Sequence, residues 1–421
     1  MGFAESAAPH KTTAHLEQTH PQQMQSKSRR FLRLVLEISV LWLADTGAAL
    51  SSEAHERKNL DLTSPNAVKL SLRSDILVSK QSTADLPTKR KRRRRELYVP
   101  ERPLSPPFPD GPCGGQIVTL QEADLSPTSK GWRSFLLPPR PVKVWLPPGY
   151  DPQCQNTTVQ YPTLYCHDGQ NVVSDDQSWT GRSWRLTGAL TRLADHGLIA
   201  TPLPIVVLLP SMEGDILAGV RRRHVEYGDV VLPTAVAHAD WVADTVRPAI
   251  ERKFATNPDA CYTMGSSLGG QAALHLLVRH PDKFHGAACL SPCFQPGLLA
   301  AVQLAVTQWQ SPKKIYLDIG GNVGNQTVPW LDVWDHATSQ HSWNPGYFWL
   351  DTSLQPGVQA MHRILQDAPA QAVQHVYHEI PGGRHNERAW SLRIDKPLRY
   401  LFGMDAQNTG GDRDVRGSNN Q

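Results

Sequence analysis

From about Gly111 onward, short apolar runs rich in β-branched and aromatic residues alternate with stretches of helical spacing. That alternation is the tightest constraint in the chain. Strands separated by helices pair in parallel, because each return crossing needs a dozen or more residues to bring the chain back to the same end. "RPVKVWLPPGY" reads as a strand closed by a Pro-Pro-Gly turn, and "YPTLYCHDGQN" as a buried strand entering a polar loop. "LPIVVLLP", "ACYTMG", "GAACLSPCF", "KKIYLDIGG" and "QHVYHEIPGG" read as further strands. "TGALTRLADHGL", "HADWVADTVRPAIERKF" and "LGGQAALHLLVRH" have helical spacing, with a kink expected at Pro248. The pattern predicts an α/β domain over residues 111–403, with a mostly parallel sheet flanked by helices.

The 421 residues leave room for long extensions around such a domain. Residues 1–110 read as a disordered or targeting extension, and 404–421 as a disordered tail rich in Gly, Asn and Asp. Within the extension, "KSRRFLRLVLEISVLWLADTGAAL" has a basic flank, an apolar run and small residues, as a secretory signal does. Arg33, Glu37 and Asp45 fit an amphipathic helix equally, and argue against a stable membrane span. The run Lys89–Arg95 carries seven positive charges, so the rest of the chain has a net charge near −3 against +4 overall. It reads as a processing site, a nuclear signal or an exposed linker. The roughly neutral remainder gives no reason to expect a nucleic-acid partner. Two sequons, at Asn156 and Asn325, fit a secreted or endomembrane-lumen protein, with the cytoplasm as the alternative. The six cysteines form no CxxC pair, and no HExxH or phosphate-binding loop is present, so neither metal nor organic cofactor is expected. Cys166 and Cys261, in apolar runs, read as free and buried.

One stretch carries chemistry. In "CYTMGSSLGG", Gly265-Ser266-Ser267-Leu268-Gly269 fits G-x-S-x-G with Ser267 at its centre. A predicted strand precedes it and a predicted helix follows, which is the setting of a nucleophile elbow. The turn is tight enough to exclude side chains at the flanking glycines, and it lifts the hydroxyl clear of the sheet. Leu268, opening the helix, offers its backbone N–H to a developing oxyanion. A serine needs a base to take its proton. His385, in "IPGGRHNERAW", stands on a loop directly after the last predicted strand, and two glycines let that loop turn back.

The segments "VWLPPGYD", "LYCHDGQN", "YTMGSSLGG", "RHPDKFHGAACLSP", "IYLDIGG" and "PGGRHNERAW" follow in order over about residues 138–403. Together they resemble the α/β-hydrolase family of esterases that includes esterase D and the enterochelin-esterase-like enzymes. The resemblance implies an α/β-hydrolase fold with Ser267 as nucleophile and His385 as base. It also implies that the loop His167–Gln170 supplies the second oxyanion donor through the N–H of Gln170. The family often places its acid a few residues after "DIGG", where this chain has Asn322 and Val323. Asp332 is the expected acid, with Asp335 behind it and an acid-free Ser–His dyad as a further option. Asp318 reads as structural.

The expected activity is that of a serine esterase acting on a small-molecule carboxylic ester through an acyl-enzyme, without a cofactor. Acyl transfer to an alcohol and a non-catalytic binding role are the alternatives, the second supported by the missing carboxylate near Val323. The run Arg221–Arg223 reads as a solvated surface or as a site for an acidic substrate. Trp179, Trp184, Trp330, Trp334 and Trp343 are candidates to line a pocket, and the Trp-rich insert Asn325–Asp351 is a candidate lid.

Overall fold

In the computed structural model, residues 104–125, 136–151, 159–217, 220–321 and 346–403 are described. The N-terminal apolar segment, the Lys89–Arg95 run, both sequons and the C-terminal tail lie outside them.

Ten strands and nine helices are found among the described residues. In chain order they run β1 (Gln116–Leu120), β2 (Val142–Leu146), β3 (Tyr161–His167), α1 (Leu186–Asp195), β4 (Ile205–Leu209), β5 (Asp215–Leu217) and β6 (Val220–Arg221). Then follow α2 (Arg222–Glu226), α3 (Pro233–Trp241), α4 (Arg247–Lys253), β7 (Thr256–Ser266), α5 (Leu268–Arg279), β8 (Gly286–Leu290) and α6 (Pro296–Ala305). The chain closes with β9 (Lys313–Ile319), α7 (Gly346–Gln366), β10 (Val373–Glu379), α8 (Glu387–Ser391) and α9 (Asp395–Phe402).

Eight strands form one sheet in the order β1-β2-β4-β3-β7-β8-β9-β10, and β5 and β6 make a separate hairpin. β2 runs antiparallel to both β1 and β4. From β4 to β10 every neighbouring pair is parallel. A parallel sheet with one reversed strand near its start, helices on both faces and the β4/β3 order exchange is the α/β-hydrolase arrangement that the sequence implies.

The sheet has a core on each face, and strand alternation divides the residues between them. On β4, Ile205, Val207 and Leu209 face one core while Val206 and Leu208 face the other. With both faces covered, the strand reads as an unbroken apolar run, as central parallel strands do. The first core takes Val242 and Ile250, Leu274 and Leu277 of α5, Leu298 of α6, and Val358 and Met361 of α7. The second takes Leu186 and Leu190 of α1, Trp390 of α8, and Leu398 and Leu401 of α9. Phe108 is also buried in the second core, so packing begins ahead of residue 111.

The long helical stretch before β7 starts earlier than its spacing suggests. α3 opens with Pro233 in its first turn, where a missing N–H costs nothing. A π-turn over Val242–Val246 then precedes α4. Pro248 cannot donate to a carbonyl four residues back, and the irregularity sits just ahead of it. Cys113, Cys166, Cys261, Cys289 and Cys293 are free thiols. Burial pushes the Cys261 thiol up to about 12, partly offset by a hydrogen bond with Thr163. No helix among the described residues is long and apolar enough to cross a membrane.

Gly188 of α1 docks the N-terminal segment: a Cβ there would lie 2.1 Å from the Pro109 carbonyl oxygen. Backbone cannot swing aside as a flexible side chain does. Gly188→Ala is therefore expected to destabilise the fold by about 1–3 kcal/mol, measured by denaturant unfolding.

Candidate active site

The carboxyl ends of the parallel strands gather the chemistry-bearing residues, as open parallel sheets generally do. β7 ends at Ser266, and Ser267 is the hinge into α5. Its φ of 55° and ψ of −128° lie outside the regions that L-residues favour. The glycines on either side make the turn possible. A Cβ on Gly265 would lie 2.1 Å from the Gly269 carbonyl oxygen, and one on Gly269 would lie 2.9 Å from Asp168 Oδ2. Ser267 itself is half-buried, with its N–H bonded to the Leu290 carbonyl at 3.0 Å and its carbonyl accepting from the Cys293 N–H at 3.1 Å. The end of β8 and the turn after it thus grip the elbow from both sides.

Leu268 is the first residue of α5, where a backbone N–H has no partner within the helix. Beside it lies the loop after β3. Asp168 adopts a left-handed conformation (φ 54°), and Gly169–Asn171 form a short 3-10 turn. Gly169 presses against the end of β4, since a Cβ there would come within 2.4 Å of the Leu208 carbonyl carbon. Gln170 follows, its side-chain amide donating to Ser211 Oγ at 3.3 Å. The Met212 N–H in turn donates to buried Glu226 at 2.6 Å. Glu226 also meets Arg140 and His238. Burial lowers the pKa of His167, at the start of the loop, well below its usual value, and neighbouring His238 adds to the shift.

Asp168 is the anchor of this loop. Arg223 forks onto it, Nε to Oδ1 and Nη2 to Oδ2, both at 2.7 Å. Burial alone would lower the guanidinium pKa, yet the Asp168 charge and hydrogen bonds raise it above the ordinary arginine value. Of the run Arg221–Arg223, then, Arg221 and Arg222 are exposed while Arg223 turns inward and is already paired. The Arg221 and Arg223 guanidinium carbons lie 5.3 and 5.4 Å from the Trp179 ring centre. The Trp179 indole N–H donates to Glu387 at 2.7 Å. Burial raises the Glu387 carboxyl pKa, and that hydrogen bond offsets part of the rise. Trp184 is buried in the core, whereas Trp330, Trp334 and Trp343 lie outside the described residues.

His385 stands on the loop after β10 and is buried, with Trp390 edge-on to its ring at 5.1 Å. Its Nδ1 meets Asp351 Oδ1 at 2.7 Å. Asp351 comes from the first turns of α7 and is fully buried. Among the described residues, the carboxylate on His385 is Asp351. Asp332 and Asp335 lie outside the described residues. α7 packs on the first core through Val358 and Met361, which sets its opening turns beside the His385 loop. Room for that approach comes from Gly320, where a Cβ would lie 2.2 Å from Asp351 Oδ2 and 2.6 Å from the Gly383 carbonyl oxygen.

The two halves of the site share the turn after β8. Leu290 and Cys293 hold Ser267, while Ser291 between them donates to Asp351 Oδ2 at 3.1 Å. Ser267, Asp351 and His385 therefore lie on the side of the sheet where its parallel strands end, in the chain order Ser, Asp, His that this fold uses.

Removing Arg223 would strand the buried Asp168 charge beside the elbow. Arg223→Met is expected to cost roughly 3–5 kcal/mol of stability, read from the shift of the urea midpoint at constant slope.

Among solved structures, the chain is similar to a BES protein from Bacillus cereus, at 15% identity and a TM-score of 0.45, covering 69% of this chain and 95% of that one. It is similar to the enterobactin esterase of Shigella flexneri at 16% identity and a TM-score of 0.44, covering 72% and 64%. An IroE-like serine hydrolase from Shewanella oneidensis gives 17% identity, a TM-score of 0.44, and coverage of 68% and 80%. No curated protein matches. Residues 138–401, well over half of the chain, match the family described as "Putative esterase", and the protein belongs to that family.

Proposed function

We propose that the protein is a serine hydrolase of small-molecule carboxylic esters that works through an acyl-enzyme. Membership of the esterase family supports ester hydrolysis. The observation that carries the serine mechanism is the strained Ser267 on its elbow, set at the same carboxyl end of the sheet as a buried His385–Asp351 pair.

In this reading His385 Nε2 takes the Ser267 hydroxyl proton as Oγ attacks the ester carbonyl. Asp351 accepts from Nδ1–H, holding the tautomer that leaves Nε2 free as base, and then stabilises the imidazolium. The oxyanion is received by the N–H groups of Leu268 and Gln170, aided by the positive end of α5. The imidazolium returns its proton to the leaving alcohol. Water, deprotonated by the same nitrogen, then attacks the acyl-serine and releases the acid. The binding-only alternative rests on a missing carboxylate near Val323, and Asp351 supplies one from further along the chain.

A fluorophosphonate probe tests the reading. The wild-type protein is expected to take the label at Ser267 and Ser267→Ala to take none. An unlabelled wild type, or equal labelling of both, would sink it. Asp351→Asn is expected to lower kcat on a p-nitrophenyl ester by roughly 10³–10⁴-fold with little change in KM.

A further inference from the structure

The carboxylate that meets His385 is itself held from behind. Asp351 Oδ1 faces the imidazole at 2.7 Å, and its other oxygen accepts the Ser291 hydroxyl at 3.1 Å. The Ser291 hydroxyl oxygen in turn accepts from Arg393 Nη2 at 2.7 Å. The same guanidinium forks onto Asp318, Nε to Oδ2 and Nη2 to Oδ1, both at 3.0 Å. Asp318 also accepts from the Ser291 N–H at 2.9 Å and from the Tyr316 hydroxyl at 3.1 Å. Ser291, Asp318, Asp351, Arg393 and His385 are all buried.

The direction of this chain follows from which groups can donate. Arginine has only N–H donors and does not lose its proton in a protein. It therefore occupies a lone pair on the Ser291 oxygen. The hydroxyl has one proton, and the remaining partner, the Asp351 carboxylate, can only accept. The proton is thus forced toward Oδ2, which leaves Oδ1 for His385. Because the guanidinium stays charged, this polarity is the same at every stage of turnover.

The backbone points the same way. Ser291 has a φ of 42°, a conformation that glycine adopts freely and serine does not. A side chain kept at such a position carries strain, and here its hydroxyl makes two buried hydrogen bonds.

We infer that Ser291 and Arg393 are positioning residues. Together they fix the orientation of Asp351, and through it that of His385. The inference rests on the Ser267–His385–Asp351 reading above. The charged and titratable groups around Ser291 and Asp351 are Asp318, Arg393, His385 and Tyr316, from β9, the turn between α8 and α9, the loop after β10, and β9 again.

Ser291→Gly removes the hydroxyl while relieving the left-handed backbone, so it separates positioning from simple packing. Ser291→Cys, with a weaker donor of similar shape, serves as the second variant. For Ser291→Gly, kcat on p-nitrophenyl acetate is expected to fall roughly tenfold or more with KM little changed. Ser291→Cys is expected to fall between it and wild type. The low-field proton resonance of the His385 Nδ1–H is expected to move in both variants. Unchanged kcat and an unmoved resonance would overturn the inference. A wild type that takes no fluorophosphonate label counts against the esterase reading alone, since the resonance still reports whether Ser291 orients the Asp351–His385 pair.

Discussion

The turn from β7 into α5 is the constraint on which the rest of the site depends. It places Ser267 in a backbone conformation that costs about 1–3 kcal/mol to hold. Such strain persists only where the surroundings leave no alternative. Here two backbone hydrogen bonds, one to the end of β8 and one from the turn after it, fix the residue, and the Gly265–Gly269 contact leaves no space for side chains beside it. The elbow is thus set by the parallel pairing of β7 with β8, and so by the central sheet.

Around that elbow the fold uses buried charge pairs to fix loops that the sheet alone would leave free. Asp168–Arg223 ties the loop after β3 to α2, and Asp318–Arg393 ties β9 to the turn after α8. Both are two-pronged arginine–carboxylate contacts, the geometry in which a guanidinium gives the most directional hold. Buried pairs of this kind add little net stability, because each ion must first leave water. Their value here is orientation. One sets the backbone beside Ser267, and the other lies three hydrogen bonds from His385.

Much of the fold is legible in the sequence because its strands are central. β3, β4, β8 and β9 are buried on both faces, so their apolar runs stand out against polar turns. β1 is not legible. "QIVTL" lies at the edge of the sheet, half-exposed, and without its partner β2 it looks like any short apolar stretch. The β5–β6 hairpin is shorter still and sits among charged residues. Ser267 and His385 can be found because a motif and a strand end mark them. Asp351 has no such mark. It opens a helix containing Pro356, which obscures the helical spacing, and it lies well beyond the "DIGG" strand end where an acid is expected. Ser291 and Arg393 are 102 residues apart in the chain, and no periodicity links them. The bland reading of Arg221–Arg223 as a solvated run holds for two of the three. Only the fold shows that Arg223 meets Asp168.

The carboxylate beside His385 belongs to α7, a helix seated on the hydrophobic core, rather than to the connection that follows β9. Its placement is therefore inherited from helix packing. In this architecture the imidazole–carboxylate pair stands where the hydrophobic core puts it.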